Sequence, residues 1–208
     1  MSPRVMIGAG TKISERAVVG VVPEREPELT ELRIGAGCDV HNFATIYYGS
    51  EIGDRNRIYT GVFIREHNRI GNDCAIGVHT YLGPGNLLQD EVKIQSNCFL
   101  EDATVGQDTF LGPHVVLLND PHPRCSRYKE CVGGVRIGRG VRIGANASIL
   151  PGIVIADGAI IGAGSVVTKN VPRDMVACGN PARTVANKFD IPCRKGFFPS
   201  AFEVDKHD

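Results

Sequence analysis

Residues 70–82 decide the fold: Ile-Gly-Asn-Asp-Cys-Ala-Ile-Gly-Val-His-Thr-Tyr-Leu. Ile70, Ile76 and Leu82 stand six positions apart, and an aliphatic residue keeps this spacing without a gap from Ile34 to Leu100. An α-helix repeats every 3.6 residues and a strand every 2, so neither holds one residue type in phase at six. The chain is therefore expected to turn a corner every six residues.

The same spacing governs most of the chain. After a step of five it resumes at Val105, Leu111 and Leu117, and a shorter stretch precedes it at Ile7, Ile13 and Val19. A third run extends from Ile137 to Val167. Four places after the aliphatic residue stands a small, β-branched or Asn residue, a set that includes Cys38, Cys74 and Cys98. We interpret these cysteines as small core residues, because the seven Cys lack the dense spacing of a disulfide scaffold.

This pattern resembles the hexapeptide-repeat superfamily over nearly the whole length. The resemblance implies an all-β fold, a left-handed parallel β-helix in which three hexapeptides make one triangular coil, with about eight coils in total. We expect the β-helix to occupy residues 1–168, with an extruded loop at 119–134 where the spacing lapses. Residues 169–208 depart from the repeat and are expected to form a C-terminal cap or tail.

Charge and hydropathy exclude two classes of partner. Lys plus Arg and Asp plus Glu number 23 each, so no overall field draws the chain to nucleic acid or to an anionic membrane. No apolar run has the length needed to cross a bilayer, and the residues after Met1 lack the apolar stretch of a signal peptide. We therefore expect a cytoplasmic protein that acts on small molecules.

Two motifs resemble sugar-nucleotide N-acetyltransferases of the superfamily, and a third resembles an ending shared across many of its acyl-CoA-dependent members. They are residues 111–120 with Pro123 and Arg124, residues 92–97 with Asp102 and Ala103, and the ending Gly179-Asn180-Pro181-Ala182-Arg183. The resemblance implies an acyltransferase that moves acetyl from acetyl-CoA to an amine of a nucleotide-linked amino sugar, with no metal. It also implies a homotrimer with active sites at subunit interfaces.

The candidate catalytic residues are His122, Asn97 and Asp102. His122 lies in the extruded loop beside Asp120, which could orient it as a general base. Asn97 and Asp102 would hold the acceptor amine by hydrogen bonds. The competing interpretations are a surface His without a catalytic role and an Asn that caps a β-helix corner.

Further residues are candidates for substrate and cofactor contacts. Arg65 and Arg124 could pair with acceptor phosphates, Asn119 and Asp120 line the loop, and Glu101 replaces an aromatic residue of related enzymes. For the cofactor, backbone amides at Ala145 and Ala163 could approach CoA closely, and Lys169 and Arg183 could meet its phosphates. Each basic residue could instead be a solvated surface charge.

Other functions stay open at this stage. O-acetylation of a sugar hydroxyl is the nearest, and it would require a base. A metal-binding protein like the γ-type carbonic anhydrases would use His41, His67, His79, His114 or His122, although their spacing does not reproduce the expected ligand pattern. A non-catalytic β-helical scaffold is the third alternative. The sequence leaves the identity of the acceptor undetermined.

Overall fold

The computed structural model describes residues 3–202 as a prism with three parallel sheets for its sides. Face 1 contains eight strands: Arg4–Ile7, Glu31–Ile34, Glu51–Ile52, Arg69–Ile70, Leu87–Leu88, Thr104–Val105, Arg136–Ile137 and Val154–Ile155. Face 2 contains ten strands: Lys12–Ile13, Asp39–Val40, Arg57–Ile58, Ala75–Ile76, Lys93–Ile94, Phe110–Leu111, Arg142–Ile143, Ile160–Ile161, Met175–Gly179 and Ala182–Asn187. Face 3 contains eight strands: Val18–Val21, Thr45–Tyr47, Phe63–Ile64, Tyr81–Leu82, Phe99–Leu100, Val116–Leu117, Ser148–Ile149 and Val166–Val167.

Successive coils stack in register, and the aliphatic repeat forms the core. Ile52 pairs with Ile34 on one side and with Ile70 on the other, so residues 18 positions apart lie one above the next. The repeat residues from Ile34 to Val167 are buried. The first coil is the exception: Ile7 is 50% exposed, because this coil has a neighbour on one side only.

Small and amide side chains fill the inner corners of the prism. Cys38, Cys74 and Cys98 are buried, as the sequence predicts, and burial raises the pKa of the Cys74 and Cys98 thiols to about 11. Asn86 donates from Nδ2 to the Gly83 carbonyl at 2.8 Å and accepts at Oδ1 from the Ala103 N–H at 2.9 Å. Such side chains satisfy the polar groups that each corner would otherwise leave buried without a partner.

The excursion at 119–134 leaves the prism between faces 3 and 1. Its side chains are exposed or half-buried, and its one helix is the short segment Tyr128–Cys131. The two ends of the loop are joined, since the Gly133 N–H donates to the Asn119 carbonyl at 2.9 Å. The loop therefore stands outside the core and returns to the point from which it started.

The C-terminal segment extends face 2 with an antiparallel hairpin. Strand Met175–Gly179 pairs in parallel with Ile160–Ile161, and Ala182–Asn187 folds back along it. A 3₁₀ helix, Lys188–Asp190, follows, and the Ser200 hydroxyl donates to the Lys188 carbonyl at 3.0 Å. Within residues 3–202, neither helix has the length and apolar character needed to span a bilayer.

Candidate functional site

The sequence-predicted site residues lie at two different corners of the prism. Corner 2/3 follows the face-2 strands and contains residues 95–97, 112–114, 144–146 and 162–164. Corner 3/1 follows the face-3 strands and contains residues 65–67, 101–102, the loop 119–134 and residues 168–170. Face 3 lies between the two corners.

The candidates are divided between these corners, with most of them at corner 3/1. Asn97, Ala145 and Ala163 lie at corner 2/3, and the other candidates except Arg183 lie at corner 3/1: Arg65, Glu101, Asp102, Asn119, Asp120, His122, Arg124 and Lys169. Asn97 and Asp102 flank the strand Phe99–Leu100, so they stand roughly 15 Å apart at about 3.3 Å per residue. One chain therefore does not bring these two residues together.

Corner 2/3 contains backbone N–H groups that have no hydrogen-bond partner among residues 3–202. At the corner between faces 1 and 2, the Ala36 N–H donates to Asp54 Oδ1 of the next coil at 2.7 Å, and the Asp54 N–H donates to Asn72 Oδ1 at 2.8 Å. Ala145 occupies the corresponding place at corner 2/3, but the next coil supplies the methyl group of Ala163 instead of a carboxylate or amide. Within residues 3–202, the Ala145 and Ala163 N–H groups donate no hydrogen bond. They are available to an external acceptor.

Arg183 reaches the same corner from the C-terminal hairpin. It pairs with Cys178 across the two strands, and the Cys178 side chain lies directly over Gly162, leaving no room for a Cβ there. The Arg183 side chain is exposed. A cation thus stands at the C-terminal end of the ridge formed by Ala145 and Ala163, whereas Lys169 lies across face 3 at the other corner.

A row of left-handed residues marks the outer edge of corner 2/3. Asn97, His114 and Asn146 follow one another in successive coils with φ of 59°, 59° and 58°. The His114 N–H donates to the Ser96 carbonyl and the Asn146 N–H to the Pro113 carbonyl, both at 2.9 Å. His79 precedes them in the same row with φ of 56°. The motifs did not predict this row. The signal for it in the sequence is Asn, His and Gly at a fixed place in the repeat, because these residues adopt positive φ more readily than most.

At corner 3/1, Asp102 fixes the return of the loop. Its Oδ2 accepts a hydrogen bond from the Gly134 N–H at 3.0 Å, and Gly134 lies so close to the Asp102 carbonyl that a Cβ would meet it at 1.6 Å. Glu101 beside it is half-buried. Asp102 is exposed, and within residues 3–202 its Oδ1 makes no hydrogen bond. Asp102 can therefore anchor the loop and still bind an acceptor.

His122 and its expected partner make a different contact from the one anticipated. Asp120 Oδ1 accepts from the backbone N–H of His122 at 2.8 Å, which forms an Asx turn. The carboxylate therefore shapes the loop and does not orient the imidazole ring. His122 and Arg124 are both exposed.

Arg65 is already engaged within its own coil. Its Nε and Nη2 donate to the two carboxylate oxygens of the buried Glu66, each at 2.8 Å, and its guanidinium lies 5.0 Å from the centre of the Tyr47 ring. The Glu66 contact raises the pKa of Arg65. The remaining N–H groups of Arg65 can still meet a ligand, but the neighbouring carboxylate offsets its charge.

An aromatic ladder covers the outside of face 3. Tyr47, Phe63, Tyr81 and Phe99 follow one another from coil to coil with ring centres 5.3–5.5 Å apart; the last three rings are stacked, and Tyr47 is tilted by 51° against Phe63. The four rings are only half-buried. This face is the most apolar part of the outer surface between the two corners, and the six-residue repeat by itself did not predict it.

Other features of the described residues stand apart from these corners. A groove of about 610 Å³ on face 1 is lined by Arg33, Glu51, Arg69, Leu87 and their neighbours, and it includes none of the predicted site residues. Among residues 3–202, no three His, Cys, Asp or Glu side chains are grouped closely enough to hold a metal ion.

Comparison with known proteins shows similarity to hexapeptide-repeat proteins. Residues 134–169 match the family described as bacterial transferase hexapeptide (six repeats). The fold is similar to that of UDP-N-acetylglucosamine acyltransferase from Campylobacter jejuni, with a TM-score of 0.66, 16% identity, and coverage of 93% of this chain and 74% of that one. The chain therefore has the left-handed parallel β-helix fold, and residues 134–169 are similar to the hexapeptide family.

More particular similarities concern parts of the chain. A hexapeptide-repeat-containing acetyltransferase from Vibrio cholerae has a TM-score of 0.52 and 24% identity, and the match covers 57% of this chain and 72% of that one. Bifunctional protein GlmU from Heliobacterium modesticaldum is 32% identical over 108 residues, which are 50% of this chain and 23% of the relative. The match with the same-named protein from Desulfitobacterium hafniense is 26% identical and covers 58% of this chain and 21% of the relative. The chain thus spans less than a quarter of these curated relatives.

Proposed function

We propose that the protein transfers an acetyl group from acetyl-CoA to an amine of a nucleotide-linked amino sugar. The observation that carries the proposal is the pair of free N–H groups at Ala145 and Ala163, on a ridge that ends at Arg183. The amide carbonyls of a pantetheine arm would accept from these donors, and the arginine would meet its phosphates. The motifs at 92–103, 111–124 and 179–183 support the same donor.

The division of the candidate residues supports an active site shared between copies of the chain. If three prisms stand in parallel with face 3 turned toward a common axis, corner 2/3 of each lies against corner 3/1 of the next. Asn97 and the Ala145 ridge of one chain would then face Asp102, Arg124 and the loop of its neighbour. The half-buried aromatic ladder would be covered in the same arrangement, which a large apolar patch favours.

The chemistry requires a positioned amine and a group that removes its proton. The nitrogen lone pair attacks the thioester carbonyl carbon, the carbon–sulfur bond breaks, and the sulfur leaves as the CoA thiolate. Asn97 and Asp102 would hold the amine, and Arg65, Glu101, Asn119, Asp120 and Arg124 would contact the rest of the acceptor. Lys169 also lies at corner 3/1 and would contact a phosphate. From the sequence, His122 is the candidate base that would remove the proton from the amine.

O-acetylation of a sugar hydroxyl is the second candidate. It is favoured by the exposed imidazoles near both corners, because an alcohol needs a base in order to attack, whereas a free amine attacks through its lone pair and needs only an acceptor for its proton. A panel of amino sugars, sugar alcohols and their nucleotide conjugates, assayed by release of the CoA thiol, would separate the two reactions. Turnover with the nucleotide-linked amines alone would support the proposal, and turnover only with hydroxyl acceptors would overturn it.

A single substitution tests the CoA ridge. Ala163→Asp places at corner 2/3 the carboxylate that caps the equivalent N–H at the corner of Ala36 and Asp54, so it should fill the Ala145 donor and repel the CoA phosphates. We expect at least a tenfold weaker affinity for CoA by calorimetry. Ala36→Asp, the same change at the other corner, is the matched control and should bind CoA as the unmodified chain does. Equal affinities in all three proteins would show that CoA does not lie on this ridge.

A further inference from the structure

His114 occupies the centre of the ridge that the proposed function assigns to the reaction. It lies in the left-handed row of corner 2/3, one coil after Asn97 and one coil before Asn146. Coils in a parallel β-helix are about 4.8 Å apart, so the His114 backbone is one such step from Asn97 and one from the Ala145 coil. The acceptor-binding amide and the free CoA-binding donor thus stand on either side of one imidazole.

The His114 side chain is free to act. It is exposed, and within residues 3–202 it makes no hydrogen bond, ion pair or aromatic contact. His41 and His67, by contrast, lie beside Asp39 and Glu26. His122 stands at the opposite corner, where Asp120 binds its backbone and not its ring. Of the described histidines, His114 is the one between Asn97 and Ala145.

We propose that His114 is the general base of the acyl transfer, a proposal that rests on the acetyltransferase function above. As the acceptor nitrogen bonds to the thioester carbonyl carbon, the neutral imidazole takes the nitrogen's proton and becomes an imidazolium. When the carbon–sulfur bond breaks, its electrons remain on sulfur, and the imidazolium returns the proton to that thiolate. The products are the acetylated amine, free CoA thiol and neutral His114. A neutral imidazole has a basic nitrogen and, once protonated, an acidic N–H, which are the two functions that these transfers require.

The row itself supplies substitutions that preserve the backbone. Gly61 and Gly164 occupy the same place in other coils with φ of 68° and 69°, and Asn97 and Asn146 occupy it with 59° and 58°. His114→Gly and His114→Asn should therefore keep the left-handed turn without strain. His79→Gly is the matched control, because His79 lies in the same row, two coils before His114 and farther from Ala145.

The test is steady-state release of CoA thiol, repeated with and without added imidazole. His114→Gly is expected to lose 10²–10⁴-fold in kcat, to bind CoA within about twofold of the unmodified chain, and to recover at least tenfold with imidazole. A purely structural role would give no such recovery. His114→Asn should lose activity similarly, and His79→Gly should keep it.

Two results would overturn the assignment. One is a kcat for His114→Gly within fivefold of the unmodified chain; the other is a loss that imidazole rescues in His122→Asn and not in His114→Gly. If the unmodified chain itself turns over no acceptor in the panel, the acetyltransferase function fails first and His114 has no reaction to serve. Activity of the unmodified chain therefore distinguishes failure of the function from failure of the assignment.

Discussion

At the scale of single residues, Arg65 and Glu66 show how a buried partner changes what a basic side chain can do. The Glu66 side chain is 5% exposed and that of Arg65 24% exposed, and two hydrogen bonds join them. This carboxylate offsets much of the positive charge of Arg65. The pair also packs against the aromatic ladder through Tyr47, so it supports the wall of face 3.

Removing the buried carboxylate should destabilise the fold. Glu66→Ala leaves a half-buried guanidinium without its partner, and we expect a loss of about 2 kcal/mol in the free energy of unfolding, less than for a fully buried pair because Arg65 keeps some water contact. Urea unfolding followed by circular dichroism measures it. Glu26→Ala removes an exposed carboxylate beside His67 and should cost less than about 0.5 kcal/mol. Equal losses in the two variants would contradict this account.

The sequence predicted the kind of residue at each corner but not its contacts. Cys38, Cys74 and Cys98 lie in the core because a six-residue spacing alone assigns them an inward position. The Asp120 contact with the His122 backbone and the Arg65–Glu66 pair depend on side-chain rotamers and on a turn, and periodicity contains no information about either. The aliphatic spacing also does not predict the row containing His114, because that row is defined by the positive φ of its backbone.

At the scale of elements, the loop 119–134 is separable from the prism. Its ends are joined by the hydrogen bond from the Gly133 N–H to the Asn119 carbonyl. The same kind of bond between an N–H and a carbonyl closes a four-residue turn. None of its side chains from Pro121 to Val132 is buried. The lapse in the repeat therefore located the loop correctly from sequence, since a polar stretch without the aliphatic spacing has no place in the ladder.

Excising the loop should separate binding from turnover. Replacing residues 120–132 with two glycines leaves Asn119 and Gly133 as the ends of a tight turn, so the melting temperature should change by less than about 4 °C, the shift expected for 1 kcal/mol. CoA affinity should persist, because the Ala145 ridge lies at the other corner. Acetyl transfer should fall at least 100-fold if the loop holds the acceptor. Full activity in the shortened chain would show that the acceptor binds elsewhere.

At the scale of the whole molecule, face 3 joins the two halves of the candidate site. Its outer surface carries the aromatic ladder, and its strand Phe99–Leu100 has Asn97 on one side and Asp102 on the other. The architecture could be predicted from the repeat because every coil obeys the same local rule. The assignment of candidates to corners could not, since it depends on which face each short strand joins.

A charge on the ladder should prevent assembly. Tyr81→Lys places an ammonium group between Phe63 and Phe99, in the middle of the surface proposed to face its copies. Light scattering should give three times the mass of one chain for the unmodified protein and the mass of one chain for the variant, with a loss of acetyl transfer in parallel. Arg136→Glu, a charge change on the outside of face 1, should leave the mass unaltered. A monomeric unmodified protein that is fully active would contradict the shared site.

The stacking of coils in register also gives the prism a fixed repeat distance along its axis. Each turn of 18 residues advances the chain by one strand spacing of about 4.8 Å. Adding or removing a whole turn would move every group beyond that turn by one strand spacing along the axis. The alignment of the other coils would stay the same.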